Sequence, residues 1–390
     1  MRVIALRAAR VFDGTNLVDH PTVVLDGGHV VATGVDVPDA VDLGDVTVLP
    51  GMIDVHVHLA FDASPDAVGA LAARSPDEVR AAMVDAARRQ LRAGVTTVRD
   101  LGDPNYLSLP LRDDPDLPTI VAAGPPVTTV DGHCHFLGGA VQPGEAAVRA
   151  AVRERAERGC DVVKIMASGG TLTKGSAQHI PQFEVGELRA AVDEAHRHGL
   201  PVVAHAHATE GIAAALAAGV DGLEHVSFWT ADGIDDRPDL IDEIARRQVP
   251  VGVSIGAAPL SDADRATVLR VKPDRAEVFA RVPKIMAVYS RLIEAGAVVV
   301  VGTDAGIGPP KQHPSLPNAM PQLVELGMTP LAALRAVTSV AAEACGLAGR
   351  KGRLAPGFDA DLVVVAGDPL TNPAAVHEVK AVYLAGRTMT

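Results

Sequence analysis

Short aliphatic runs alternate with longer segments rich in Ala, Arg and Glu along most of this sequence, and this alternation strongly constrains the fold. Each aliphatic run can supply one buried strand, and several of the intervening segments can each form a helix. The predicted strands cover residues 52–59, 95–101, 119–124, 161–167, 200–206, 222–227, 249–255 and 298–304, with helices over 78–93, 145–158, 184–198, 209–218 and 274–295. Repeated strand–helix units build parallel sheets covered by helices. Eight strands over about 300 residues favour an α/β fold of the (β/α)8 TIM-like barrel type over an open doubly wound sheet.

The two ends of the sequence have a different pattern. Residues 1–50 contain short aliphatic runs separated by turn signals such as Asp13-Gly14, and strand-like runs return after Arg353. Neither end is expected to bury enough apolar surface alone. We therefore predict that 1–50 and 353–390 together form one small composite β-sandwich domain, and that 51–352 form the barrel.

Composition and charge exclude several classes of protein. Hydrophobic residues make up 48% of the 390 residues, which can fill a sizeable core and excludes disorder. The net charge of -13 argues against binding to nucleic acid or to an acidic membrane surface. The three cysteines form no CxxC pair, no uncharged apolar run reaches roughly 18 residues, and the opening stretch lacks the pattern of a signal peptide. A cytoplasmic protein with no membrane partner is the resulting prediction.

Two histidines stand two residues apart in the first predicted barrel strand. In an extended strand, side chains alternate between faces, so His56 and His58 point the same way and can reach one ion. Asp54 shares their face and is expected to orient His56. A pair of histidines satisfied in a core would have the same pattern, so the assignment depends on partners elsewhere in the sequence.

Polar residues with metal-binding chemistry stand at or near the ends of four more predicted strands. Lys164 interrupts the apolar run 162–166, where a bare ammonium group would be costly unless it is paired or chemically altered. His205 and His207 share a face by period two, so at least one of them is expected to be a ligand. His225 and Asp304 each end a strand. The carboxyl ends of barrel strands meet at one mouth, so packing alone is a poor explanation for the whole set.

At this point the sequence resembles the amidohydrolase superfamily of metal-dependent hydrolases, and within it the imidazolonepropionase-like and prolidase-like (Xaa-Pro dipeptidase-like) subgroup. The resemblance covers nearly the whole chain. It rests on six motifs in family order, namely Leu49–His58, Asp161–Met166, Val203–His207, Gly222–His225, Gly302–Asp304 and Gly357–Leu362.

The resemblance implies a ligand set for two divalent metal ions, with zinc as the expected metal. His56, His58 and Asp304 would bind the first ion, and His205 and His225 the second. N-carboxylated Lys164 would bridge them, since carboxylation turns an awkward cation into an oxygen ligand that two ions can share.

The same resemblance implies hydrolysis of a C–N bond by attack of a metal-bridging hydroxide. Asp304 would accept its proton and pass it to the leaving nitrogen. His133, at the position of a Gly-His motif of the subgroup, would hold a substrate carbonyl or carboxylate, although Asp131 departs from the usual Gly-Gly-His. Cys134 is expected to be structural, because strand-like alternation would turn it away from its neighbours.

Other readings stay open. The enzymatic alternatives are a mononuclear deaminase or imidazolonepropionase-type ring-opening hydrolase, against which Lys164 argues, and a hydrolase of xenobiotic carbamates or ureas. Ala208 also stands where the mononuclear branch commonly has a Glu. The non-enzymatic alternative is a metal-free scaffold protein.

The predicted partner is a small-molecule amide such as an N-acyl amino acid or Xaa-Pro-type dipeptide. Basic residues at candidate mouth positions, His133, Lys174, His179 and Lys311, favour a substrate with a carboxylate. The sequence leaves open whether His207, His135, His179 or Lys174 contacts the substrate. A homo-oligomer is compatible with this fold, but no stretch of the sequence locates an interface.

Overall fold

A computed structural model describes residues 3–389 of the chain. The segment before the barrel contributes six strands: β1 (Ile4–Arg7), β2 (Arg10–Val11), β3 (Thr22–Asp26), β4 (His29–Thr33), β5 (Val41–Asp42) and β6 (Val46–Pro50). One residue after β6, the chain enters the first barrel strand, β7 (Met52–Val57).

The central part alternates between strands and helices, as predicted. Its first half contains α1 (Ala67–Ala72), α2 (Pro76–Arg92), β8 (Val95–Asp100), β9 (Thr119–Ala122), β10 (Thr128–Thr129), β11 (Ala140–Val141), α3 (Glu145–Arg158) and β12 (Val163–Met166). Its second half contains α4 (Val185–Arg197), β13 (Val202–Ala208), α5 (Thr209–Ala218), β14 (Gly222–Trp229), α6 (Pro238–Arg247), β15 (Val251–Val253), α7 (Asp262–Val271), α8 (Arg275–Glu294), β16 (Val299–Val301), α9 (Leu316–Glu325), α10 (Pro330–Ala336) and α11 (Ser339–Ala344). Three more strands follow: β17 (Leu362–Ala366), β18 (Val379–Leu384) and β19 (Arg387–Met389).

Local sequence signals set several of these boundaries. At α2, the Ser75 hydroxyl accepts from the backbone N–H of Glu78, and the Glu78 carboxylate accepts in return from the backbone N–H of Ser75. Pro76 occupies the first helical position, where its missing N–H costs nothing. The predicted helix at 78–93 therefore begins two residues earlier, at Pro76.

The barrel strands form two parallel sheets, ordered β7-β8-β9 and β12-β13-β14-β15-β16. Isolated parallel bridges join their edges, Val57 with Ala305 and Val127 with Ile165. All eight predicted strands are present, and the α/β fold of TIM-barrel type is confirmed. The hydrogen-bonded strands are mostly shorter than predicted. Among the ligand candidates, His58 and Asp304 lie just beyond the ends of β7 and β16. The other candidates lie within their strands, namely His56 in β7, Lys164 in β12, His205 in β13 and His225 in β14.

An apolar layer fills the strands beneath these ends. Val162 and Val203 pack in one cluster with Val300 and with Ala341 of α11. Because side chains alternate along a strand, Val162 shares its face with Lys164, and Val203 shares its face with His205. The polar residues therefore stand on a packed floor at the carboxyl ends of the strands.

The strands of the two ends pair with each other. β6 lies between β2 and β17 in the sheet β19-β18-β17-β6-β2, and Pro50 is opposite Leu362. The sheet β4-β3-β1-β5 shares an apolar cluster with this sheet, which includes Val23, Val48 and Val364. These contacts accord with a composite β unit, whose boundaries at residues 50 and 353 stay a prediction. No helix within residues 3–389 is both long and apolar enough to cross a membrane.

Candidate metal centre

The first group of candidate ligands brings together His56, His58 and Asp304. The two histidine Nε2 atoms lie 3.2 Å apart, and Oδ1 of Asp304 lies 3.6 Å from Nε2 of His56 and 3.3 Å from Nε2 of His58. All three residues are buried. The three side chains therefore converge on one point, as the sequence predicted for a first ion.

A second group brings together three histidines. His205, His207 and His225 each offer a ring nitrogen within 4.8 Å of the others, and the rings of His207 and His225 stack with centroids 4.3 Å apart. His207, whose role the sequence left open, thus joins the predicted pair. Parallel pairing of β13 with β14 brings the three residues together, with a register irregularity between Ala206 and Ala208.

The outer nitrogen of each histidine in the second group is held by an oxygen. Nδ1 of His207 is 2.7 Å from Oγ of Ser227, and Nδ1 of His225 is 2.7 Å from Oγ of Ser254. Nε2 of His205 is 3.1 Å from the carbonyl oxygen of Gly169. Metal-binding histidines are commonly oriented in this way, with the second ring nitrogen left for the ion.

Four of the histidines, His56, His205, His207 and His225, are held neutral, which a nitrogen ligand requires. Burial lowers the pKa of His56 to about 4 and that of His207 to about 3, and it lowers the pKa of His205 and His225 well below the ordinary value. These rings are therefore unprotonated at neutral pH.

Lys164 is completely buried and borders the same cavity. Its Nζ atom has no hydrogen-bond partner among residues 3–389. Burial lowers the pKa of this amine to about 8, so a reactive neutral fraction exists near neutral pH. An orphaned amine beside two convergent ligand groups fits a carboxylated lysine that serves divalent ions.

Asp304 is ionised in this setting. Burial by itself would raise the pKa of its carboxyl group, but the charge of Lys311 and a hydrogen bond with His58 hold that pKa well below the ordinary value. Nζ of Lys311 donates to Oδ2 at 3.0 Å, which leaves Oδ1 toward the histidines. Asp304 has a left-handed backbone with φ of 58°, a conformation that costs energy in a non-glycine residue and is typical of functional sites.

Glu224 holds the ring of His56, a role that sequence reasoning did not find. Its Oε2 accepts from Nδ1 of His56 at 2.9 Å, and its Oε1 accepts from Nη2 of Arg99 at 3.0 Å. Asp54, expected to orient His56, instead accepts from the backbone N–H of His56 and from the amide and hydroxyl of Thr303. The available signal was a charged residue inside an apolar strand, and the sequence shows this signal at Glu224 as it does at Lys164.

The predicted substrate residues are not all at the cavity. His133 lines it, with its ring centroid 4.8 Å from that of His205 and its Nδ1 atom without a partner in the described chain. His135, His179 and Lys174 are absent from the cavity lining described for residues 3–389, and Lys174 is exposed. Cys134 is buried as expected for a structural residue, but it borders the cavity instead of turning away from it.

The cavity above the two groups has a volume of about 620 Å³. Both ligand groups lie on its wall, and the helix α8 lines it with seven residues between Arg275 and Tyr289. Concave sites of this size bind small molecules.

Comparison with known proteins identifies the family. The model of the amidohydrolase family matches residues 47–389. Ochratoxinase from Aspergillus niger is 29% identical over 363 residues, which cover 86% of this chain and 73% of that protein. Imidazolonepropionase from Salinispora tropica is 27% identical over 357 residues, covering 83% and 79%. A solved Xaa-Pro dipeptidase with methionine bound in its active site superposes with a TM-score of 0.86 at 26% identity, over 99% of both chains. The chain belongs to the amidohydrolase family and is a hydrolase that acts on carbon–nitrogen bonds.

Proposed function

We propose that this chain is a binuclear metal-dependent amidohydrolase that cleaves the amide bond of an N-acyl amino acid or an Xaa-Pro-type dipeptide. One observation carries the proposal: two groups of three convergent ligands share a cavity with a buried lysine whose amine has no partner. A single ion would use only one of these groups. The similarity to a Xaa-Pro dipeptidase supports the choice of substrate class.

The residues fit two divalent ions, with zinc proposed for both. His56, His58 and Asp304 would hold one ion, and His205 and His225 would hold the other. His207 offers a further nitrogen ligand to the second ion. Reaction of the Lys164 amine with carbon dioxide would form an N–C bond, release a proton and give a carbamate whose carboxylate could serve both ions. When bound, such ions polarise a carbonyl and lower the pKa of water toward about 7.

The chain's own residues would carry the proton. Asp304 is ionised, with Oδ1 toward the histidines, so it can take a proton from an attacking water and give it to the leaving nitrogen. Lys311 keeps the other oxygen of Asp304 occupied and so fixes the direction of the carboxylate. His133 is neutral, because burial lowers its pKa to about 3, and a neutral ring can donate one hydrogen bond to the substrate. A cytoplasmic location and the lack of nucleic-acid and membrane partners stay predictions from the sequence.

Metal content per chain, together with a substrate panel, tests the proposal. We expect about two ions in the purified protein and hydrolysis of N-acyl amino acids or Xaa-Pro dipeptides, with aryl carbamates as a contrast set. Lys351→Met is a matched control for Lys164→Met, because Lys351 is also buried but pairs with Asp359 at 2.9 Å in the terminal β region. The control should keep both ions and lose none of the activity per folded molecule. One ion per chain would favour a mononuclear deaminase or ring-opening hydrolase, and no ion after careful purification would refute both.

A further inference from the structure

The long helix α8 presents a mixed polar and apolar stripe to the cavity. Arg275, Val278, Phe279 and Met286 all line it. Val278, Phe279 and Met286 follow Arg275 by three, four and eleven residues, which puts all four on one face of a helix. The guanidinium of Arg275 therefore stands next to a continuous apolar surface.

Apart from Lys164, Arg275 is the one Lys or Arg of the described cavity lining that has no partner. Arg265 lies over the ring of Phe279, with its Cζ atom 5.0 Å from the ring centroid. Lys272 pairs with Asp66, with Nζ 3.9 Å from Oδ1, and Lys311 pairs with Asp304, with Nζ 3.0 Å from Oδ2. The side chain of Arg275 makes no hydrogen bond and no ion pair with any residue from 3 to 389. It is half-buried, so the group has lost part of its hydration without gaining a direct ion pair.

Arg275 and His133 both line the cavity that contains the candidate metal centre. Burial lowers the pKa of His133, and the positive charge of Arg275 contributes in the same direction. Burial likewise lowers the pKa of Arg275, and the negative charge of Asp304 opposes that shift. A substrate that spans the cavity could thus touch His133 at one end and Arg275 at the other.

The planar guanidinium of Arg275 indicates which chemical group would suit it as a partner. Its parallel N–H groups match the two oxygens of a carboxylate, and this pairing is stronger than a neutral hydrogen bond. The apolar residues three, four and eleven positions along α8 would meet the group attached beside that carboxylate. An amino acid with a large apolar side chain has both features on one carbon atom.

We propose that Arg275 binds the carboxylate of the substrate and that the α8 stripe binds a large apolar side chain on the adjacent carbon. The inference rests on the proposed function, of which it names the substrate class: N-acyl derivatives of large apolar amino acids. Arg275 is a specificity-determining residue in this scheme and takes no part in bond cleavage.

The test compares two substrates that differ only at the carboxylate, N-benzoyl-L-phenylalanine and N-benzoyl-L-phenylalaninol. We expect Arg275→Gln to lower kcat/KM for the acid by roughly 10- to 100-fold, the usual weight of hydrogen bonds to a charged group, and to change the value for the alcohol by less than about threefold. Lys284→Gln is the control, because it removes an exposed cation from the same helix outside the cavity. Wild type should prefer N-benzoyl-L-phenylalanine over N-benzoylglycine by at least about tenfold, since burial of a large apolar side chain has that weight.

A binding measurement separates this inference from the proposed function. N-benzyl-L-phenylalanine has no scissile carbonyl, so calorimetry on the metal-loaded protein reports its binding without turnover. Weaker binding in Arg275→Gln, with no hydrolysis of any amide by wild type, would support the carboxylate site and refute the proposed function. Equal losses for the acid and the alcohol, or unchanged binding of N-benzyl-L-phenylalanine in Arg275→Gln, would refute the carboxylate site and leave the hydrolase assignment standing.

Discussion

Replacement of Glu224 by Gln tests how the first ligand group is held. Glu224 accepts from His56 on one side and from Arg99 on the other, and both contacts are buried. The amide of Gln has one acceptor and one donor. With its NH2 group toward Arg99, the amide leaves two donors facing each other. With its NH2 group toward His56, it does the same unless His56 changes tautomer. If it does, the proton moves to Nε2, the atom that faces Asp304 and the candidate ion.

The structure sets the size of the effect. Loss of one partner from a buried ion pair costs about 3–5 kcal/mol, because the remaining charge is left uncompensated. Arg99 keeps two other hydrogen bonds, from Nε to the carbonyl of Val55 at 2.7 Å and from Nη1 to the carbonyl of Ala344 at 2.8 Å. We therefore expect the lower end of that range, about 3 kcal/mol, in the free energy of unfolding of the metal-free protein. Metal affinity should fall roughly 10- to 100-fold, as for other groups that orient a ligand.

Two assays report these effects separately. Urea unfolding of the metal-free protein gives the stability change, and competition with a chromogenic chelator gives the metal affinity. Glu194→Gln is the matched control, because Glu194 is also buried and pairs with Arg153 at 3.2 Å and Arg197 at 2.7 Å, on the helices α3 and α4, which do not line the cavity. The control should be destabilised without weaker metal binding. A Glu224→Gln protein that resists the chelator as well as wild type would refute the tautomer argument.

Three further predictions follow from single residues. The Lys164→Met protein should lose at least one metal ion, its activity and the carbamate carbon-13 signal that labelled bicarbonate gives in the wild type. In the metal-free state it should unfold no more easily than the wild type, because the substitution removes a buried amine without a partner in the described chain. Two retained ions with full activity would exclude a carboxylated lysine. Burial lowers the pKa of His313 from 6.5 to about 4, so its contribution to stability is complete above pH 6.5 and is lost as the pH falls toward 4. In that window, His313→Gln should reduce the slope of the unfolding free energy against pH by up to about 1.4 kcal/mol per pH unit. An unchanged slope would contradict this prediction. Gly252→Ala should destabilise the protein and weaken metal binding, because a Cβ atom there would lie 2.1 Å from Oε2 of Glu224. At Gly222 the atom nearest to an added Cβ is 3.5 Å away. The control Gly222→Ala should therefore behave almost like wild type in thermal unfolding and metal analysis.

The barrel was predictable from sequence because its signal is local. Each strand is an aliphatic run of a few residues, and each polar interruption, such as Lys164, is visible inside its own run. Strand order then places the interruptions at one mouth without further information. The predicted histidine and aspartate ligands consequently fall into two groups in the structure. His207 joins the second group because the sequence could not say whether one or both of the two histidines on that face are ligands.

The residues that sequence reasoning missed depend on contacts between distant segments. Glu224 and Arg99 are 125 positions apart, and only the packing of β8 and β14 around one interior brings them together. Arg275 begins a helix whose existence was predicted, but its direction toward the cavity depends on how α8 lies across the barrel mouth. Lys174 and His179, whose contact with the substrate the sequence left open, are absent from the cavity lining described for residues 3–389, since a loop that follows a barrel strand need not turn inward.

The pairing of β6 with β17 has a consequence for biosynthesis. β6 leaves the ribosome early, but its antiparallel neighbour lies more than 300 residues later, after the whole barrel. Until then, an apolar strand has one open hydrogen-bonding edge, and such an edge is a template for pairing with another nascent chain. Expression that stalls or terminates before Leu362 should therefore yield aggregates even when every barrel strand has been made. A fusion partner placed after β19 keeps the pairing intact, while one inserted between α11 and β17 delays it further.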